Sequence, residues 1–345
     1  MSTRVSIGGA GAIVVTVSLV VAACGGNGTR KYTAGGRTPE EGLVAASVAG
    51  DIPAMRAFLK SGVNVNARNK AGSTAIVDAA SAGRVDAVQE LVAEGADVNA
   101  QNNDGWTALH AAATGTHHDV VEALLAKGAT PNVATKDGFT PLMAAAQKGD
   151  AASVQALIKA GADPNAQNKD RWTALMAAVE SSKPELVSAL MRAQADPQSH
   201  TADGWTPLMA AAKRGDAATV KALLDHGADP NAANKDGWTA LMAGAASGKT
   251  DVVEALIAAG ADPNARTHDG WTPLMSAAEQ GHAPVVSALL ARHANPNVRN
   301  AANKTALMWA KEKGHLDVVA LLDNEGATAT SGAAPAPQTG RRSRK

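Results

Sequence analysis

The chain has 345 residues and a formal net charge of zero; aromatics make up 3%, and alanine supplies much of the 45% hydrophobic content. A single thick core of large side chains is not expected from that composition, and balanced charge gives the molecule as a whole no reason to seek nucleic acid. Cys24 is the only cysteine, which excludes an internal disulfide.

Residues 1–23 carry Arg4 and then an apolar run from Val5 to Ala23. This order reads as a secretory signal, short of a comfortable membrane span and ending in the small residues a peptidase requires. The segment "VAAC", Val21 to Cys24, resembles the lipobox of bacterial lipoproteins. The resemblance implies cleavage before Cys24, acylation of its thiol and a lipid-anchored protein of the bacterial cell envelope. More than one acyl chain gives stable anchoring, whereas a single chain is marginal. The alternative is an uncut helix held in the inner membrane. In that family an aspartate after the cysteine commonly retains the protein at the inner membrane; here Gly25 follows, so the periplasmic face of the outer membrane is expected. Residues 24–37, "CGGNGTRKYTAGGR", suit a flexible tether.

Internal repetition decides the fold. Threonines placed to open helices fall at Thr74, Thr107, Thr140, Thr173, Thr206, Thr239, Thr272 and Thr305, each 33 residues after the last. A leucine or isoleucine column runs in step from Leu43 through Ile76 to Leu307 and adds one degenerate unit ahead of Thr74, giving nine units over residues 38–327. In the unit from Asp203, Thr206 is a helix cap, Pro207 suits the first helical position, and Gly215 ends the helix. A second helix presents Val220, Leu223 and Leu224 on one face and stops at Gly227. The segment "ADPNAANKDG" then forms an extended, hairpin-like turn. Two helices of this size cannot bury their apolar faces alone, but stacked units can, so the expected fold is an all-α solenoid.

The 33-residue period, "TPL" opening the first helix, glycine between helices, "GADPNA" after the second and "DG" at the hairpin resemble the ankyrin repeat. The likeness covers nearly everything between tether and tail. One departure is systematic. The histidine of the family's "TPLH" is kept as His110 but becomes Met143, Met176, Met209, Met242, Met275 and Met308, so cohesion between units is expected to rest more on adaptable apolar packing. Both ends read as caps: Thr38 with Glu41 forms a capping box, and Asp323 replaces the column Leu125, Ile158, Leu224, Ile257 and Leu290 where no further unit follows. From Ala108 to Ala306 the residue after the threonine alternates alanine and proline, and Asn102, Thr135, Asn168, Thr201, Asn234, Thr267 and Asn300 alternate in step, as copying of a 66-residue block would produce.

Five of the six tryptophans stand just before a helix-opening threonine; the column reads Ser73, Trp106, Phe139, Trp172, Trp205, Trp238, Trp271, Lys304. The ankyrin resemblance implies that this position lies at the hairpin base on the concave face, where such arrays contact partners. Two roles are open. The row is a binding surface for a protein partner, ringed by Lys136, Lys148, Lys169, Lys213, Arg214, Lys235 and His268, or each indole braces its neighbour's hairpin. Recognition of an envelope glycan by the same aromatics is the rival to a protein partner.

No catalytic constellation emerges. His117 and His118 are adjacent and diverge on a helix, the hairpin aspartates Asp104 to Asp269 come one per unit, and phosphate-loop and serine-nucleophile motifs are missing. Neither a metal nor a cofactor is expected. Residues 328–345, ending "RRSRK", form a low-complexity basic tail. The whole reads as a monomeric, non-catalytic adaptor on a lipid anchor.

Overall fold

The computed structural model describes residues 29–33 and 37–326. The leader with Cys24 and the tail from residue 328 lie outside these residues. A helical turn, α1 (Arg30–Thr33), precedes nine helix pairs. Their first helices are α2 (Pro39–Ala49), α4 (Ala75–Ser81), α6 (Ala108–Thr114), α8 (Pro141–Lys148), α10 (Ala174–Glu180), α12 (Pro207–Arg214), α14 (Ala240–Ser247), α16 (Pro273–Gln280) and α18 (Ala306–Lys313). The second helices are α3 (Ile52–Lys60), α5 (Val85–Ala93), α7 (His118–Ala126), α9 (Ala151–Lys159), α11 (Pro184–Arg192), α13 (Ala217–Asp225), α15 (Thr250–Ala258), α17 (Ala283–Leu290) and α19 (Leu316–Asn324). The all-α solenoid read from the period is the observed architecture. Among the described residues, regular strands are absent and the hairpin loops contain a single isolated bridge, Ala233 with Thr239.

Local chemistry sets each boundary. Thr206 Oγ1 accepts the Met209 amide at 3.3 Å, Pro207 takes the first turn, and Gly215 closes α12 at φ 70°. Helices of seven to eleven residues are too short to persist alone. Burial against neighbours holds them: Leu109, Leu142, Leu208 and Leu241 from the first helices and Val120, Leu157, Leu223 and Leu256 from the second are sealed in one continuous core. Alanines such as Ala112, Ala145 and Ala211 fill the contact between adjacent first helices, where larger side chains would hold them apart. The methionine column packs as expected, with Met143, Met176, Met209, Met242 and Met275 buried and Met308 half-buried in the final repeat.

Polar columns tie one repeat to the next. Asn132 donates through Nδ2 to the Gly161 carbonyl at 2.9 Å and accepts the Asp163 amide at 2.7 Å. The same two-way bridge recurs at Asn66, Asn99, Asn165, Gln198, Asn231 and Asn264. A second column precedes the second helices. Arg84, His117, Lys183, His282 and His315 reach back to carbonyls at the end of the previous first helix, at 2.7–3.1 Å. Where that column carries Asp51, Asp150 or Asp216, the carboxylate caps its own helix instead.

The ends differ from the middle. Thr38 and Glu41 form the reciprocal capping box read from sequence. Asp323 is exposed and pairs with Lys311 at 3.4 Å. Within the stretch read as a tether, Arg30–Thr33 form α1, which docks on the first repeat. Tyr32 donates its hydroxyl to Asp51 at 3.0 Å, and Lys31 pairs with the same carboxylate at 2.6 Å. Burial raises the Asp51 pKa, but Lys31, the Ala54 amide and Tyr32 outweigh it and hold the carboxyl below its ordinary range. Gly42 faces this contact: a Cβ there would lie 2.5 Å from the Phe58 ring and 3.1 Å from Thr33 Cγ2.

Candidate functional site

The aromatic row is built on the hairpin backbone. Asn102 Oδ1 accepts the Trp106 amide at 2.9 Å, and Asn168 and Asn234 accept those of Trp172 and Trp238 at 2.8 Å. In the intervening repeats Thr135, Thr201 and Thr267 use Oγ1 for the same purpose, accepting the amides of Phe139, Trp205 and Trp271 at 2.9–3.1 Å. The Asn/Thr alternation thus keeps one function: each side chain clamps the amide of the aromatic residue. The hairpins also stack on each other, as in the Lys136 amide on the Asp104 carbonyl at 3.0 Å and the Lys235 amide on the Asp203 carbonyl at 3.1 Å.

All six aromatics of the row are half-buried. Phe139, Trp172, Trp205 and Trp271 pack against the core cluster. None of the six residues is fully buried, so each retains some surface exposed to solvent. The rings lean on the first helix of their own repeat. Trp106 lies 5.5 Å from the His110 ring and 6.2 Å from Phe139, Lys213 Nζ sits 5.4 Å from the Trp205 centroid, and Trp271 Nε1 donates to Ser276 Oγ at 2.8 Å.

Lys136, Lys148, Lys169, Lys213, Arg214, Lys235 and His268 are all exposed. Lys213 is the one among them seated on an indole. Lys169 pairs with Asp137 at 2.8 Å, and Arg214 donates to Ser182 Oγ at 2.6 Å. His110 belongs to the scaffold. It is fully buried, donates from Nε2 to the Phe139 carbonyl at 3.0 Å and accepts the Thr107 amide on Nδ1 at 3.3 Å. Burial drives its pKa down to about 4, which fits a neutral ring with one donor and one acceptor nitrogen.

The sixth tryptophan extends the row. Trp309, on α18, lies 5.0 Å from Trp271, with their rings tilted at 60°. Lys304 takes the aromatic's place in the last repeat; its Nζ sits 4.2 Å from the Trp309 centroid and is paired with Glu312. Sequence spacing misses this member because Trp309 follows its threonine by four residues, and only the fold brings it beside Trp271.

A family model described as ankyrin repeats matches residues 43–135, 127–201, 175–267 and 260–331. The chain belongs to the ankyrin-repeat family. Ankyrin repeats generally mediate protein–protein interaction and are generally non-catalytic, which supports a scaffold role for the array. No curated protein matches this ankyrin chain. Among its described residues, no group of three or more His, Cys, Asp or Glu side chains is placed to hold a metal, and no helix is long and apolar enough to cross a membrane. His117, His282 and His315 are taken up by carbonyls of the preceding repeats, and His118 pairs with Asp119 at 2.9 Å.

Proposed function

We propose that this ankyrin protein is a non-catalytic adaptor that grips one protein partner along the row Trp106, Phe139, Trp172, Trp205, Trp238 and Trp271. The observation supporting this is that six consecutive repeats each hold a half-buried aromatic ring by a hydrogen-bonded hairpin amide. Rings fixed on one side and open on the other lose little freedom on binding, and large aromatic area of this kind dominates interface energies. Lys136, Lys148 and Lys235 have no ion-pair or hydrogen-bond partner for their ammonium groups among the described residues, and they supply charge around the row. Acylation at Cys24 places the adaptor on the periplasmic face of a bacterial outer membrane, a reading that rests on the "VAAC" segment alone.

The test is a mild-detergent pull-down with wild type and the double variant Trp205→Ala, Trp238→Ala. The wild type should recover one protein that the variant loses, while the variant's melting temperature stays close to wild type. A large drop in melting temperature with partner capture intact assigns the indoles to bracing. Sedimentation with purified cell wall in place of protein capture points to glycan instead. Labelling with an alkynyl fatty acid, abolished by Cys24→Ala, checks the anchor.

A further inference from the structure

The hairpin column just ahead of the aromatic row reads Gly72, Gly105, Gly138, Arg171, Gly204, Gly237, Gly270 and Asn303. Every member has a left-handed backbone, and Arg171 adopts φ 61° despite its side chain. A residue with a Cβ is disfavoured there by about 1 kcal/mol or more. Space is also short: at Gly138 and Gly204 an added Cβ would lie 2.8 and 2.9 Å from the Cα of the next hairpin's asparagine. Arg171 therefore works against the stability of the array. Its exposed guanidinium makes no hydrogen bond or ion pair among the described residues.

Arg171 lines an open cleft of about 720 Å³ whose walls also include His200, Ala202, Ala233 and Lys235. The cleft follows from two small residues. The column of Ala233 also holds Ala134, Gln167 and His200, and at Arg68, Gln101, Arg266 and Arg299 its side chains reach across to backbone carbonyls of the hairpins. The column of Ala202 elsewhere holds Lys70, Asn103, Lys136, Lys169, Lys235, His268 and Ala301, and only here does an alanine in it face an alanine in the other column. With alanine at both positions, and with His200 Nδ1 turned toward the Gln198 carbonyl at 3.3 Å, the space stays open. Asp229 is the single carboxylate of the lining, and it already accepts the Asn231 amide at 2.9 Å in a turn that recurs along the array.

We infer that this cleft binds a phosphate-bearing ligand. The planar fork of Arg171 takes two phosphate oxygens, and Lys235 supplies a second, mobile charge. The His200 ring and the Asn234 side chain add polar surface to the wall, and the volume lies within the range of small-molecule sites. The strained backbone at Arg171 is then the structural cost of placing a guanidinium where seven other hairpins carry none. The site shares Lys235 with the adaptor surface but does not depend on the indoles.

Calorimetric titration of the full-length chain decides the matter, using glycerol 3-phosphate as a free monoester, a synthetic poly(glycerol phosphate) as a phosphodiester polymer, and citrate as a carboxylate control. The wild type should bind at least one phosphate probe at millimolar concentration or below and leave citrate unbound; the tighter probe identifies the source. Arg171→Gly should weaken binding by at least about tenfold, as loss of a bidentate charged contact does. It should also melt at the wild-type temperature or higher, because glycine relieves the strain. Trp205→Ala, Trp238→Ala should bind phosphate as wild type does, whatever happens to partner capture. The inference is overturned by silence with both phosphate probes, by citrate binding equal to theirs, by unchanged binding in Arg171→Gly, or by a lower melting temperature in that variant.

Discussion

His110 shows how much one residue position carries. The later repeats fill the same place with methionine, and the first two with Val44 and Val77. The neutral imidazole ties the third repeat to the carbonyl under Phe139, and burial keeps its folded pKa at about 4 against an ordinary 6.5. As pH falls, the unfolded chain therefore takes up the proton first. Stability is whole above 6.5 and declines between 6.5 and about 4, by about 2 kcal/mol at pH 5. In denaturant melts at pH 7 and pH 5, His110→Met should remove this part of the decline; an identical pH slope in the variant would refute the assignment. The scaffold role of His110 was readable from its place in "TALH", and so were the caps. The clamp formed by Asn102 and Thr135 was not. Its alternation looked like a mark of duplication because amide and hydroxyl oxygens share no chemistry until a common backbone amide is placed before both.

The helix pairs and hairpins were legible because their signals are local: a threonine, a proline, a glycine and a period. One cap departs from the pattern and offers a check. Seven of the eight threonines read as helix openers accept an amide three residues on, whereas Thr74 makes no such bond and its buried hydroxyl has no partner. Ser73, in the aromatic column, is bonded to Asp78 at 2.8 Å. Thr206→Ala should therefore destabilise by about 1 kcal/mol, while Thr74→Ala should be neutral or stabilising. Equal losses in chemical denaturation would contradict the difference in geometry. What sequence could not supply at this scale were contacts between elements. The asparagines of "DPNA" read as turn formers, yet each bridges two repeats, and "RKYT" read as tether because its partner, Asp51, lies some 20 residues further along.

Across the whole molecule, stacking makes every repeat both a core and a cover, and among the described residues no further unit covers the last one. The exposed and charged Lys311, Glu312, Lys313 and Asp323 make that end wettable, although Leu316 stands 79% exposed beside them. Asp323→Leu should restore the apolar column and turn the end into a landing site for a second copy. Sedimentation velocity should then show a species about twice the wild type's mass; a variant that sediments as the wild type does would show the end is protected by other means. The opposite end has a different consequence. With Tyr32 and Lys31 latched to Asp51, the span between Cys24 and the folded body is only residues 25–28. Fully stretched, that is less than about 20 Å. A lipid at Cys24 would then act as a short mooring, holding repeat one against the headgroups and leaving the far repeats to sweep the space beyond.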